Sequence, residues 1–257
     1  MFNATYFFYD GRSSEEYGLQ IADFDSNTVK ETDAYSLTLS LQKTPGAVRF
    51  FHSGIEFDTA PTCEFSVLSE REIDIMSKRS ILSWLTGRKE FKPLRFDGGD
   101  NGEFTYYCVF TSVKTIWVSG RCHGFRLTAV FDSPYARLAP TTVKIEGAGV
   151  HTVTINNMSD IIDGYTYPIV QFAGTSIDIV NTSDDPERHF TFSGLLDNEV
   201  ITVDNETKYI SSTAAGEKLS NFTSKKWLRL RQGMNTLAII SAGEVIITCP
   251  HYAMIGY

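Results

Sequence analysis

Val200-Ile201-Thr202-Val203, stopped by Asp204-Asn205-Glu206, shows in seven residues what the second half of this chain does repeatedly. β-branched side chains favour a pleated, half-buried strand, and Asp and Asn suit a tight turn. The pattern recurs at Val143-Lys144-Ile145, Val153-Thr154-Ile155, Ile177-Asp178-Ile179-Val180, Phe190-Thr191-Phe192, Leu228-Arg229-Leu230, Leu237-Ala238-Ile239-Ile240 and Val245-Ile246-Ile247-Thr248. A second turn signal lies at Gln232-Gly233-Met234-Asn235. Many short strands at this spacing predict a sandwich or jelly roll.

Upstream, Asp132-Ser133-Pro134-Tyr135-Ala136-Arg137-Leu138-Ala139-Pro140 carries two prolines and reads as a linker. It divides the chain into expected domains 1–135 and 136–257. The first domain opens on the aromatic strand Tyr6-Phe7-Phe8-Tyr9, ended by the turn Asp10-Gly11. Ser13 and Glu16 stand at capping-box spacing, with Gly18 closing a short helical turn. Leu19-Gln20-Ile21 is extended, and Ser36–Leu41 and Cys63–Val67 alternate as half-buried strands. One helix is predicted over about 69–86, capped by Ser69 with Glu72 and closed by a left-handed Gly87. Its apolar residues form a wide band, which predicts cover on more than one side. Strands follow at Leu94–Phe96, Phe104–Phe110 and Phe125–Phe131.

Composition narrows the function. In 257 residues there are 23 basic and 31 acidic side chains, a formal charge of −8. Charged residues make up 21% and hydrophobic residues 42%, an ordinary globular mix. No apolar run approaches a spanning helix, and the first residues carry no secretory pattern. Net negative charge without a basic cluster argues against a dedicated nucleic-acid binder. Cys63, Cys108, Cys122 and Cys249 suit neither a disulfide framework nor a zinc cluster, and are expected to be reduced and buried. Arg121-Cys122-His123 and the lone His189 read as structural rather than as ligands. Asp97-Gly98-Gly99-Asp100-Asn101-Gly102 fits no EF-hand spacing and reads as a hairpin tip. The sequons at Asn3, Asn157, Asn181, Asn205 and Asn221 read as chance. No catalytic motif, metal site or cofactor site is expected.

Ordered pieces of the chain resemble one family. Phe8-Tyr9-Asp10-Gly11-Arg12-Ser13-Ser14-Glu15-Glu16-Tyr17-Gly18-Leu19 is similar to the opening of the distal tail protein (Dit) family of long-tailed, siphovirus-type phages of Gram-positive bacteria. Arg71-Glu72-Ile73 through Ile81-Leu82-Ser83-Trp84-Leu85-Thr86-Gly87, then Pro93-Leu94-Arg95-Phe96-Asp97, resembles it too. So do the Asp132–Tyr135 junction and Gly233-Met234-Asn235-Thr236-Leu237. The resemblance implies a mainly β fold: an N-terminal β-sandwich with one α-helix and a β-hairpin, then a C-terminal galectin-like β-sandwich. It implies a non-enzymatic structural protein of the virion tail tip, made in the host cytoplasm. Six copies would form a homo-hexameric ring joining the major tail tube protein to a tail-associated hub protein, with receptor-binding proteins at the rim and DNA passing through. The first half would drive assembly, with Ile73, Met76, Ile81, Trp84 and Leu85 as the expected oligomer interface. Asp97, Asp100 and Glu103 would form an acidic lumen or rim loop, or else an ordinary solvated tip.

Two other readings compete. A carbohydrate-binding adhesin would stack sugar on Trp227, beside Arg229 and Arg231, in the second domain. A cell-wall hydrolase ranks lowest, because no acid/base constellation stands out.

Overall fold

The computed structural model describes residues 4–22, 38–43, 45–46, 48–49, 51–56, 60–98, 102–197, 199–216 and 218–254. The chain divides into two compact units, Met1–Ala136 with Met254–Tyr257, and Arg137–Ala253. Asp100, the Gly99–Asn101 tip, and Ser36 and Leu37 of the expected strand lie outside the described residues.

The first unit contains β1 (Tyr6–Tyr9), β2 (Arg12–Ser13), β3 (Gln20–Ala22), β4 (Thr38–Gln42), β5 (Phe51–Glu56), β6 (Thr62–Leu68), α1 (Ile75–Thr86), β7 (Lys92–Asp97), β8 (Tyr106–Val118) and β9 (Arg121–Phe131). Seven strands form one sheet in the order β2-β1-β7-β8-β9-β6-β3. Its two ends approach each other, since the Ile21 N–H donates to the Thr5 carbonyl at 2.8 Å. The first layer is thus one sheet curling back on itself, with α1 packed against it. β4 and β5 pair as a separate hairpin.

The Asp10-Gly11 turn has φ of 49° and 77°, the double left-handed geometry of a tight hairpin. Ser13 and Glu16 form the expected capping box over the 3₁₀ turn Ser14–Tyr17. The helix departs from expectation at its start. It begins at Ile75 with Asp74 as cap, whose carboxylate accepts from the Met76 and Ser77 N–H groups, both at 2.8 Å. Ser69 cannot cap it, because the Ser69 and Ile73 N–H groups donate to the His123 and Cys122 carbonyls on β9. Residues 69–73 are therefore tied to β9 at both ends and bend between them, with the Ser69 Oγ accepting from the Arg71 N–H at 3.2 Å. Gly87 adopts φ −78°, ψ 5°, not the left-handed form. Its lack of a side chain still matters, as a Cβ there would sit 2.4 Å from the Ser83 carbonyl oxygen.

β8 runs further than expected, to Val118, and turns into β9 through Ser119 and Gly120 at φ 51° and 80°. Its first half alternates buried and half-buried, but beyond Phe110 the burial fades. The outer half is an arm rather than core.

The second unit contains β10 (Ala136–Ile145), β11 (Gly149–Asn157), β12 (Ile169–Ala173), β13 (Ile177–Asn181), β14 (His189–Phe192), β15 (Val200–Asp204), β16 (Tyr209–Ser212), β17 (Gly233–Ser241) and β18 (Glu244–Ala253). They form two antiparallel sheets, β10-β18-β12-β15-β16 and β11-β17-β13-β14. Alternate residues of both sheets, among them Phe172, Ile179, Phe192, Val203, Ile239 and Ile247, share one core. This is the expected two-sheet sandwich. The linker is shorter than expected: Ala136–Pro140 already belongs to β10, whose edge position tolerates a proline without an N–H to donate. Leu228–Leu230 is not a ladder strand. Leu228 and Leu230 are buried and Arg229 is half-buried, but only Leu230 makes a bridge, to Thr166. β10 and β18, which carry the two ends of this unit, lie side by side, with Thr141 touching His251 and Lys144 touching Glu244.

Candidate assembly surfaces

The band of apolar residues on α1 splits into two sides. Ile81, Trp84 and Leu85, with Ile73 just before the helix, are buried in the first unit's own core. Trp84 stacks between Phe7 and Tyr17 at 5.5 and 5.0 Å, and its Nε1 donates to the Tyr9 carbonyl at 2.9 Å. Burial of that much ring area explains why four of the five expected interface residues face inward. Only Met76 of that set faces out, 66% exposed, and its neighbour Ile75 is 77% exposed.

The outward surface continues onto the β8–β9 arm. Trp117 and Val118 at its tip are exposed, and the Lys78 ammonium on α1 lies 4.9 Å from the centre of the Trp117 ring. That cation–π contact sets the arm tip beside the start of the helix. On the other flank a groove of about 460 Å³ runs between Met76 and Trp84, rimmed by Arg12, Arg79 and Arg88. Arg88 is paired with Asp10 at 2.7 Å and Arg12 donates to the Tyr17 hydroxyl at 2.9 Å. Arg79 has no ion pair among the described residues. The surface has what an interface centre needs, exposed apolar anchors with arginine at the rim.

Asp97, at the end of β7, and Glu103 are both exposed. The two face solvent on the approaches to the expected tip.

In the second unit Arg229 and Arg231 are committed to internal contacts. Arg229 and Arg231 both bond the buried Asp184 carboxylate, at 2.8 and 2.7 Å, and the Arg229 guanidinium lies 3.8 Å from the Tyr165 ring centre. Burial raises the Asp184 pKa, but the two arginines outweigh it and hold the carboxyl below its usual range. Trp227 is half-buried, its ring 4.9 Å from Phe222, and the Arg188 Nη2 donates to its carbonyl. A ring packed in this way offers little platform to a sugar.

A second internal pair was not foreseen. Glu199, buried, accepts from Lys218 at 2.8 Å, Ser212 at 2.5 Å and the Leu196 N–H at 3.0 Å. Burial pushes its pKa up, yet these donors prevail and hold it at about 2. No local pattern marks either pair, because each cation lies far along the chain from its carboxylate, 45 and 47 residues for the two arginines of Asp184.

All four cysteines are buried thiols. Burial pushes the Cys249 pKa up to about 12 and raises that of Cys108 as well. Cys122 faces the core, while its neighbour His123 is half-buried with Nδ1 3.3 Å from the Ser69 carbonyl. Strand alternation therefore keeps the pair from acting as one site. Among the described residues no group of three or more His, Cys, Asp or Glu side chains could hold a metal ion.

Comparisons place this geometry among known proteins. No curated protein sequence matches the chain. Among solved structures it is similar to the Dit protein of phage SPP1, described as a paradigm of the hub adsorption apparatus in phages infecting Gram-positive bacteria. That likeness has a TM-score of 0.67 at 14% identity and covers 96% of this chain and 98% of that one. A chain of the phage P2 baseplate, in its activated conformation with Ca, is similar with a TM-score of 0.58 at 11% identity, over 97% and 98%. At these identities the likeness is one of fold. Sequence families carry the identification: residues 2–133 match the phage tail protein N-terminal domain and residues 135–249 the phage tail C-terminal domain. The chain belongs to the phage tail protein family.

Proposed function

We propose that the protein is the hub at the distal end of a phage tail. Six copies close into a ring that joins the major tail tube protein to a tail-associated hub protein, surrounds the DNA path and carries receptor-binding proteins at its rim. Its role is structural, not enzymatic. The observation that carries this reading is the whole-chain likeness of fold to the SPP1 Dit hub, with nearly all of both chains aligned.

The surfaces of the first unit support it. A closed ring needs two different complementary patches per copy, each interface burying at least about 1,000 Å². Ile75, Met76, Trp117 and Val118 form an exposed apolar patch next to the arginine-rimmed groove. The assembly interface is therefore assigned to this outward side of α1 and the arm. Asp97 and Glu103, with Asp100, are the acidic groups assigned to the lumen, where a basic surface would hold phosphates.

Light scattering and electron microscopy of the purified protein test the reading. Rings of six are expected, and Ile75→Asp with Trp117→Asp should leave folded single copies. A wild-type protein that stays single at all concentrations, and that immunogold labelling finds away from the tail end, would sink it. Asp97→Asn, Asp100→Asn and Glu103→Gln together should preserve rings but slow DNA ejection. Ejection at the wild-type rate would leave these acids as a solvated tip.

A further inference from the structure

The second sandwich has four sheet edges, and three are protected. β10 carries Pro140, Arg137 and Lys144, features that discourage pairing with another chain. β16 is only four residues long. β14 is covered by its own chain, since the Thr223 N–H donates to the Thr191 carbonyl at 2.9 Å and the Ser193 N–H to the Asn221 carbonyl at 3.0 Å.

β11 differs on every count. It pairs with β17 over nine consecutive residues without a register shift. It contains no proline and no Asp, Glu, Lys or Arg. Among the described residues no backbone hydrogen bond reaches its other edge. The outward face of β11 and its neighbour β17 is also uncharged. Val150 is 78% exposed and pairs with Ile240, 56% exposed; Asn156 pairs with Met234, 64% exposed; Thr152 and Thr154 face out between them.

We propose that this edge docks an extended, uncharged segment of a different virion protein, which adds as a fifth strand beside β11. Unpaired N–H and C=O groups in a regular row are satisfied by another strand and by little else. The neighbouring row of Val150, Thr152 and Thr154 favours β-branched or apolar side chains on the incoming segment, because a charge there would lose water without gaining a partner. A second copy is the poorer occupant. Pairing of β11 with itself is two-fold and stops at two copies, whereas a six-fold ring uses unlike patches, and each copy carries −8. The proposal rests on the tail-hub reading only in drawing its partner from the virion.

A photoreactive phenylalanine analogue placed at Thr152 in assembled virions tests it. Irradiation should join the chain to another virion protein, and mass spectrometry should locate the adduct in an uncharged segment. Thr154→Lys should abolish the adduct and Thr154→Val should retain it, with rings intact in both. An adduct to a second copy of this chain, or none in ring-bearing particles, overturns the proposal. Immunogold labelling reports separately on the hub: an adduct in particles labelled away from the tail end would sink that reading and keep the strand docking.

Discussion

In the first unit Phe7, Tyr9, Phe65, Trp84, Phe96, Tyr106 and Phe110 interlock through ring contacts, and the only buried polar side chains among the described residues are Ser14 and Ser66. In the second, Ile, Val and Leu fill most of the core, and Asn157, Thr166, Asn181, Glu199, Asn205 and Asn235 are buried at strand ends and loops. Rings supply large area per residue, and in the first unit they interlock to hold a single curled sheet and one helix. Two stacked sheets need little from each residue, but their connecting loops are fixed by hydrogen bonds between buried polar side chains and backbone. The contrast places mainly ring-packed apolar stability in one unit, with the Asp74 helix cap as its charged exception, and charge-dependent loop order in the other.

The largest expected effect would break this contrast at its apolar end. Trp84→Ala removes the ring between Phe7 and Tyr17 and should cost about 3–5 kcal/mol. Calorimetry should show the first unit's transition falling and the second's unmoved. Equal falls in both would mean that the two units melt as one.

Next, Asn235→Ala takes away a side chain that bridges Arg231, Gly233 and Asn181. A loss of about 1–3 kcal/mol is expected, confined to the second unit. Urea denaturation followed by Trp227 fluorescence would read it. An unchanged midpoint would remove the loop network from the account.

A third test sharpens the contrast by pH. Glu199 titrates at about 2, below its ordinary 4.5, so its contribution is complete above 4.5 and lost as pH falls through 2. Asp184, also depressed, acts in the same sense. The second unit's melting temperature should therefore fall across that acid window, with Glu199→Gln flattening the dependence and the first unit's transition moving less. Parallel acid profiles would contradict the assignment.

The smallest effect concerns the thiols. Replacing all four cysteines by Ala should leave the proposed ring intact, at about 1 kcal/mol or less for each buried position. Stoichiometric zinc in the purified protein would overturn that expectation.

Local chemistry was legible in the sequence wherever neighbours in the chain decide the outcome. The Asp10-Gly11 turn, the Ser13–Glu16 cap and the alternating strands of the sandwich all depend on residues a few positions apart. The helix start was misplaced because distant backbone, the Cys122 and His123 carbonyls, takes the N–H groups of Ser69 and Ile73. β12 and β16 are not predicted: β12 follows directly on Pro168, and β16 on Lys208 with few apolar residues to show a face. The apolar band of α1 was visible, but which of its sides meets the sheet depends on Phe7, Tyr9 and Tyr17. The Asp184 and Glu199 pairs follow from topology alone.

The side-by-side placement of β10 and β18 has a genetic consequence. A unit whose first and last strands are neighbours begins and ends at one place on its surface. Recombination near codons 135 and 254 could exchange it as a cassette, with both joints at that one place, while the aromatic core of the first unit stays whole. Variants of this piece could then replace one another while the first unit's fold is kept.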